Sequence, residues 1–90
     1  KIPERFNLSN PYPNPFNSST NLKIENPNFE VLQLEIYNIK GEIIQSIKNK
    51  NLLKENSIYV WNANDYPSGI YFFELSSSKK SIIKKSVYLK

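Results

Sequence analysis

The sequence predicts an all-β fold, an antiparallel sandwich of about seven strands in a single domain. Three observations carry it. Short stretches rich in Ile, Val, Leu, Tyr and Phe alternate with polar residues, the signature of half-buried strands. Turn clusters of Asn, Pro, Gly and Ser separate them about every 8–12 residues. No segment shows sustained helical periodicity with caps. Ninety residues suffice for one two-layer core.

The elements follow in order. Residues 1–5 read as a linker, and Phe6 and Leu8 begin a first, edge strand. Next comes Asn10-Pro11-Tyr12-Pro13-Asn14-Pro15-Phe16-Asn17, with proline at every second position from 11 to 15. Each proline fixes φ and lacks a donor, and each preceding residue is pushed toward extended geometry. Helix and central strand are therefore both excluded. The stretch reads as an ordered crossing between sheets, with Tyr12, Phe16 or both buried as anchors and Asn14 turned outward.

Residues 20–25 alternate, with Leu22 and Ile24 on one face, and Asn26-Pro27-Asn28 ends the strand. Residues 29–39 form the strongest strand, with Leu32, Leu34 and Ile36 on one face and Gln33, Glu35 and Tyr37 on the other. The turn at residues 38–41 places Gly41 where positive φ is wanted. Residues 42–48 fit a strand by their β-branched content, although Ile39, Ile43 and Ile47 also match a helical i, i+4 spacing. Residues 49–56 read as a loop or short helical turn. Residues 57–62 form a strand with Tyr59 and Trp61 on one face and Ile58 and Val60 on the other, which suggests cover on both sides. The dense turn at 62–69 leads to Gly69 and the aromatic strand 70–75, and a polar hairpin at 76–80 leads to the closing strand 81–90. There Ile83, Val87 and Leu89 share a face.

Composition narrows the chemistry. The chain has no cysteine and no histidine, which removes disulfides, thiolate chemistry, and Ser–His–Asp and Cys–His catalysis. Its net charge of +4 is a mild excess that does not point to nucleic acid. Lysines 79, 80, 84, 85 and 90, near Tyr71, Phe72 and Tyr88, are better read as protection of a terminal edge strand than as a single-strand nucleic-acid site. No apolar run reaches the roughly 20 residues of a membrane helix. Glutamates 25, 30, 35, 42, 55 and 74 are scattered along strands, with no paired-carboxylate site apparent. Asn62, Asn64 and Asp65 hold oxygen donors but lack the further ligands that calcium wants, and fit better as turn residues. Trp61 reads first as core, since it buries much apolar area; exposed, it would be a platform for a sugar ring. The two Asn-x-Ser triplets at Asn7 and Asn17 recur by chance in so Asn/Ser-rich a chain. No cofactor is called for.

The opening segment, continued by Ser18-Ser19-Thr20, resembles the "YPNPFNPST" opening of type A C-terminal sorting domains of the type IX secretion system. Further stretches agree in order. Leu34-Glu35-Ile36-Tyr37-Asn38-Ile39-Lys40-Gly41 is similar to the family's "l-x-i-Y-n-x-x-G". Tyr59-Val60-Trp61-Asn62 resembles "x-v-W-n", and Tyr66-Pro67-Ser68-Gly69-Ile70-Tyr71-Phe72 resembles "l-P-S-G-x-Y-f". Lys84-Lys85-Ser86-Val87-Tyr88-Leu89-Lys90 is similar to the basic closing strand. Ser18 departs from the family's proline, and the loop at 49–56 lacks its common Ala-Gly.

The resemblance implies an immunoglobulin-like sandwich at the C-terminus of an exported protein, and no catalytic role. The chain starts at Lys1 rather than methionine and reads as a piece of a longer protein. An N-terminal cargo would reach the periplasm, the outer-membrane machinery would recognise this domain, and a sortase-like peptidase would then cut before it. The cargo would end secreted or on the cell surface. No membrane insertion is implied, and the domain would be monomeric. Signature positions are Asn10 to Asn17, Gly41, Trp61, Pro67, Gly69 and Tyr71. The family's dependence on its C-terminal end points to Lys84, Lys85, Val87, Leu89 and Lys90 for recognition, with strand addition to an exposed edge as the physical mode. The immunoglobulin-like domain of flagellar hook-capping proteins shares the same opening. A structural, adhesive or sugar-binding appendage is therefore the alternative, and it needs Trp61, Tyr71 or Phe72 exposed.

Overall fold

Alternation of apolar and polar residues makes each strand a two-faced element, and burying the apolar faces together gives the sandwich. The computed structural model describes residues 6–47 and 55–90. Among these are seven strands: β1 (Asn7–Leu8), β2 (Ser19–Glu25), β3 (Gln33–Tyr37), β4 (Ile43–Ile47), β5 (Asn56–Asn62), β6 (Gly69–Ser76) and β7 (Ser81–Tyr88). No described residue is helical. One sheet has the order β1-β2-β5 and the other β4-β3-β6-β7, with every neighbouring pair antiparallel. This distribution of strands between sheets is that of an immunoglobulin-like sandwich.

The core takes the predicted faces of β2 and β3, Leu22 and Ile24 against Leu34 and Ile36, all fully buried. Trp61, Tyr71, Phe73, Leu75 and Tyr88 complete it. Each such side chain contributes about 1.5–3 kcal/mol by leaving water. Of the predicted strand 42–48, residues 43–47 form β4, a strand rather than a helix, and residue 48 lies outside the described residues; a register shift at Ile36/Tyr37 lets β4 bend along β3. At the β3–β4 turn Gly41 has φ 83°, and its N–H donates to the Asn38 carbonyl at 3.0 Å.

Three expectations need correction. β5 is an edge strand covered on one face only, with Ile58 67% and Val60 54% exposed. Apolar residues on both faces imitate double cover, but a two-layer sandwich leaves every strand an outward face. The strong strand is shorter than 29–39. Asn26 accepts the Glu30 N–H and donates to the Glu30 carbonyl, both at 2.9 Å, so residues 26–30 close into a loop. In it Phe29 adopts φ 50° with its ring exposed, and Val31 is also exposed. On the closing strand Ile83, Val87 and Leu89 share a face as expected, the outward one, because Tyr88 takes the core. Finally, the Pro/Asn segment does not change sheets: it leaves β1 and returns to β2, β1's own partner. The expectations for residues 1–5 and for most of the 49–56 loop fall outside the described residues; Asn56 itself begins β5.

Candidate functional site

The Pro/Asn segment stays within one sheet yet touches both. Tyr12 bridges to β2, exchanging hydrogen bonds with Asn21 at 3.0 and 2.9 Å. Four residues later Phe16 bridges to β7 in the opposite sheet. Its N–H donates to the Val87 carbonyl at 2.9 Å and its carbonyl accepts the Leu89 N–H at 2.8 Å. Phe16 is the anchor that the sequence called for, 2% exposed, whereas Tyr12 is 76% exposed. Asn14 lies on the surface as expected, but its amide also holds β7, accepting the Val87 N–H at 3.0 Å and donating to the Lys85 carbonyl at 3.5 Å. The Pro13 carbonyl accepts the Thr20 hydroxyl at 2.9 Å. The Tyr12–Pro13 and Asn14–Pro15 bonds are cis, which the extended reading did not foresee. Asn10 and Asn17 are exposed and Pro11 is buried.

The other signature residues collect at this end. Phe16 stacks on Tyr88 with ring centroids 5.1 Å apart and meets Trp61 at 6.0 Å. Tyr66, Tyr71 and Phe73 pack against the remaining Trp61 surface at 5.1–5.6 Å. The indole N–H donates to Gln45 Oε1 at 3.1 Å, and Gln45 donates to the Tyr59 hydroxyl at 3.0 Å, so a polar chain joins β4 to β5. The Tyr71 hydroxyl donates to the Pro67 carbonyl at 2.6 Å, the tyrosine corner of Greek-key sandwiches. Gly69 opens β6 beside it with φ 154°. Gly41's turn faces Pro67, Gly69 and Tyr71 across a cleft of about 330 Å³. Trp61 and Tyr71 are buried and only Phe72 of the three is partly exposed, so the patch a sugar-binding appendage needs is not formed. Burial raises the pKa of the Tyr71 hydroxyl above the ordinary tyrosine value, with Tyr88 and then Tyr66 adding to it; burial does the same for Tyr59.

The closing strand divides by parity. The backbone groups of Lys85, Val87 and Leu89 that point away from β6 are bonded to Asn14 and Phe16. Lys84 takes an inward-facing position opposite buried Phe73, a charge that discourages further pairing. The Lys90 N–H donates to Ser68 Oγ at 2.9 Å and its ammonium to the Tyr66 carbonyl at 3.4 Å. Strand addition along residues 85–89 is thus a correction: that edge is already filled. Lys85, Leu89 and Lys90 present exposed side chains and Val87 a half-exposed one. The lysines do not form one cluster. Lys80 lies over the Phe6 ring at 5.7 Å, about 30 Å along β7 from Lys90.

Sequence reasoning missed one constellation. Glu35 of β3 and Glu74 of β6 are direct cross-strand partners on the outer face of the four-stranded sheet. The Tyr37 hydroxyl lies 3.0 Å from Glu35 Oε1 and 2.9 Å from Glu74 Oε1. Hydrogen bonding to Glu74, burial and hydrogen bonding to Glu35 together hold the tyrosine pKa well above its usual value. Glu35 and Tyr37 share a face by alternation; pairing with Glu74 needed the strand register. The phenol hydroxyl already engages Oε1 of each carboxylate, so those two oxygens are not free to act on a substrate or water as a paired-carboxylate mechanism requires. No group of three or more His, Cys, Asp or Glu gathers among the described residues. Asn62 Oδ1 accepts the Asn64 N–H at 2.9 Å, closing the turn predicted for it.

Comparison with known proteins agrees with this arrangement. The family model described as "Secretion system C-terminal sorting domain" matches residues 10–89. No curated protein and no solved structure matches the chain. The match runs from the Pro/Asn segment to the end of the closing strand, the two elements that clasp each other in the fold. The chain belongs to the family of C-terminal sorting domains, the sorting signals of the type IX secretion system.

Proposed function

We propose that the domain is a non-catalytic, monomeric address whose folded signature end, including the outward side chains of the closing strand, is read by the secretion machinery. Family membership carries the coarser statement: the domain is attached to a cargo, works with the type IX machinery and directs export to the cell surface or beyond. The clasp of Asn14 and Phe16 on residues 85–89 supports the finer one. With the β7 edge closed there, what remains for a receptor is Lys85, Val87, Leu89 and Lys90, held rigidly. Lys84 supports the strand rather than meeting the receptor. In this reading the cargo passes through the periplasm to the outer membrane, and a sortase-like peptidase then removes the domain.

The test is a periplasmic reporter fused ahead of residues 1–90 in a type IX-competent host. The wild-type fusion should be exported. Lys85→Ser with Leu89→Ser, which touch no core position, should leave the fold intact and the reporter periplasmic. A wild-type fusion that stays periplasmic sinks the sorting reading, and export of the double variant at the wild-type level sinks the assignment to these residues.

A further inference from the structure

The outer face of the four-stranded sheet carries two like charges in apolar surroundings. Glu35 lies opposite Glu74, and Glu74 lies opposite Ile83. In the next row Ile43, Tyr37, Phe72 and Lys85 follow one another across the sheet. Ile39, Ile43 and Ile83 are each more than half exposed. A shallow cleft of about 260 Å³ opens between Tyr37, Ile39, Phe72, Glu74 and Ile83. Like charges directly opposite each other destabilise a sheet. Tyr37 relieves this only in part, since a phenol has one proton to share between two carboxylates. Gln33 donates to the second oxygen of Glu35 at 2.7 Å. Among the described residues neither carboxylate has an ion-pair partner.

We propose that this face docks a protein partner through an arginine set between apolar side chains. The planar guanidinium, with five donors in a fork, can bond both carboxylates at once, which a single ammonium cannot. Its methylene stem and apolar neighbours would cover Phe72, Ile39 and Ile83, and such Arg-centred patches with aromatic contacts are typical of binding hot spots. A cleft this open suits a protruding side chain rather than an enclosed small molecule. The inference rests on the sorting reading and deepens it: the partner is a component of the export machinery with an arginine exposed amid apolar residues. The face adjoins the outward strip of β7, so one receptor surface spans both.

Two measurements test it. The 15N-labelled 90-residue chain is titrated with the blocked tripeptide Val-Arg-Val and with its citrulline counterpart. Saturable amide shifts should be confined to residues near Tyr37, Phe72, Glu74 and Ile83. Binding should weaken about tenfold with citrulline and be lost in Glu35→Gln/Glu74→Gln. In the reporter fusion the same double variant should keep or raise its melting temperature while the exported fraction falls about tenfold. Equal shifts from both peptides, no localised shifts, or full export of the double variant each overturn the proposal. So does a dimer of the wild-type chain that the double variant dissolves, which would make the occupant a second copy. If the wild-type fusion is not exported, the sorting reading falls and with it the identity of the partner, while the titration still decides the chemistry of the face.

Discussion

The two ends of the sandwich are built differently. At the signature end, segments far apart in sequence close on one another, Phe16 on Tyr88, Asn14 on Val87 and Lys90 on Ser68, and the Tyr71–Pro67 corner sits beside them. At the opposite end a cavity of about 670 Å³ lies open between the β2–β3 connection and the β6–β7 hairpin, beside exposed Phe29 and Val31. Prolines 11, 13, 15 and 67 and the rings around Trp61 gather at the signature end. Reciprocal bonding between the Pro/Asn segment and the closing strand ties them together. One end spends its apolar residues on stability, and the other leaves them on the surface.

Substitutions can break or sharpen this contrast. The largest effect should come from Phe16→Ala, which empties the space between Trp61 and Tyr88 while keeping the backbone bonds to β7; the cost should be about 3–5 kcal/mol in chemical denaturation. Tyr71→Phe removes the hydroxyl from the Pro67 carbonyl and should cost about 1–2 kcal/mol at neutral pH. It should also change the alkaline limb. The folded-state pKa of Tyr71 is raised, so its contribution is present in full below the unfolded tyrosine value of about 10 and is lost as pH rises beyond it. The variant should therefore lose stability less steeply above about pH 10 in a melting series. Asn14→Ala leaves the Val87 N–H to water at an exposed site and should cost about 1 kcal/mol, a drop of roughly 4–8 °C in melting temperature. Its amide exchange should quicken at residues 85–89 before anywhere else. At the open end the sign should reverse. Phe29→Gly relieves a left-handed backbone and loses little burial, so it should be neutral or stabilising by up to about 0.5 kcal/mol. A loss comparable to that of Phe16→Ala would erase the distinction between the ends.

Most of the fold was legible because alternation is local. Leu22, Ile24, Leu34 and Ile36 take the predicted core faces, Trp61 is buried, and Gly41 turns with positive φ. The misreadings share a cause. Ile58 and Val60 look like core in a window of ten residues, and only the partner sheet's position shows which face has cover. Phe29 and Val31 extend the alternation of β3, but the Asn26 side chain ties the backbone of Glu30 and ends the strand early. Of the site, the signature residues were named in advance as family marks, without the geometry that joins them. The Glu35–Tyr37–Glu74 group was invisible because Glu74 lies 37 residues beyond the tyrosine that it bonds.

The sequence by itself determined the strand count, the turns and the family, since periodicity, turn chemistry and motif order are properties of short stretches. Tertiary structure decided which faces meet water, that Phe16 rather than Tyr12 is the anchor, and that the proline-rich segment closes the edge of β7. Those outcomes depend on strand register and on the packing of one sheet against the other, which bring residue 14 to residue 87 and residue 35 to residue 74. No local pattern encodes distances across a core.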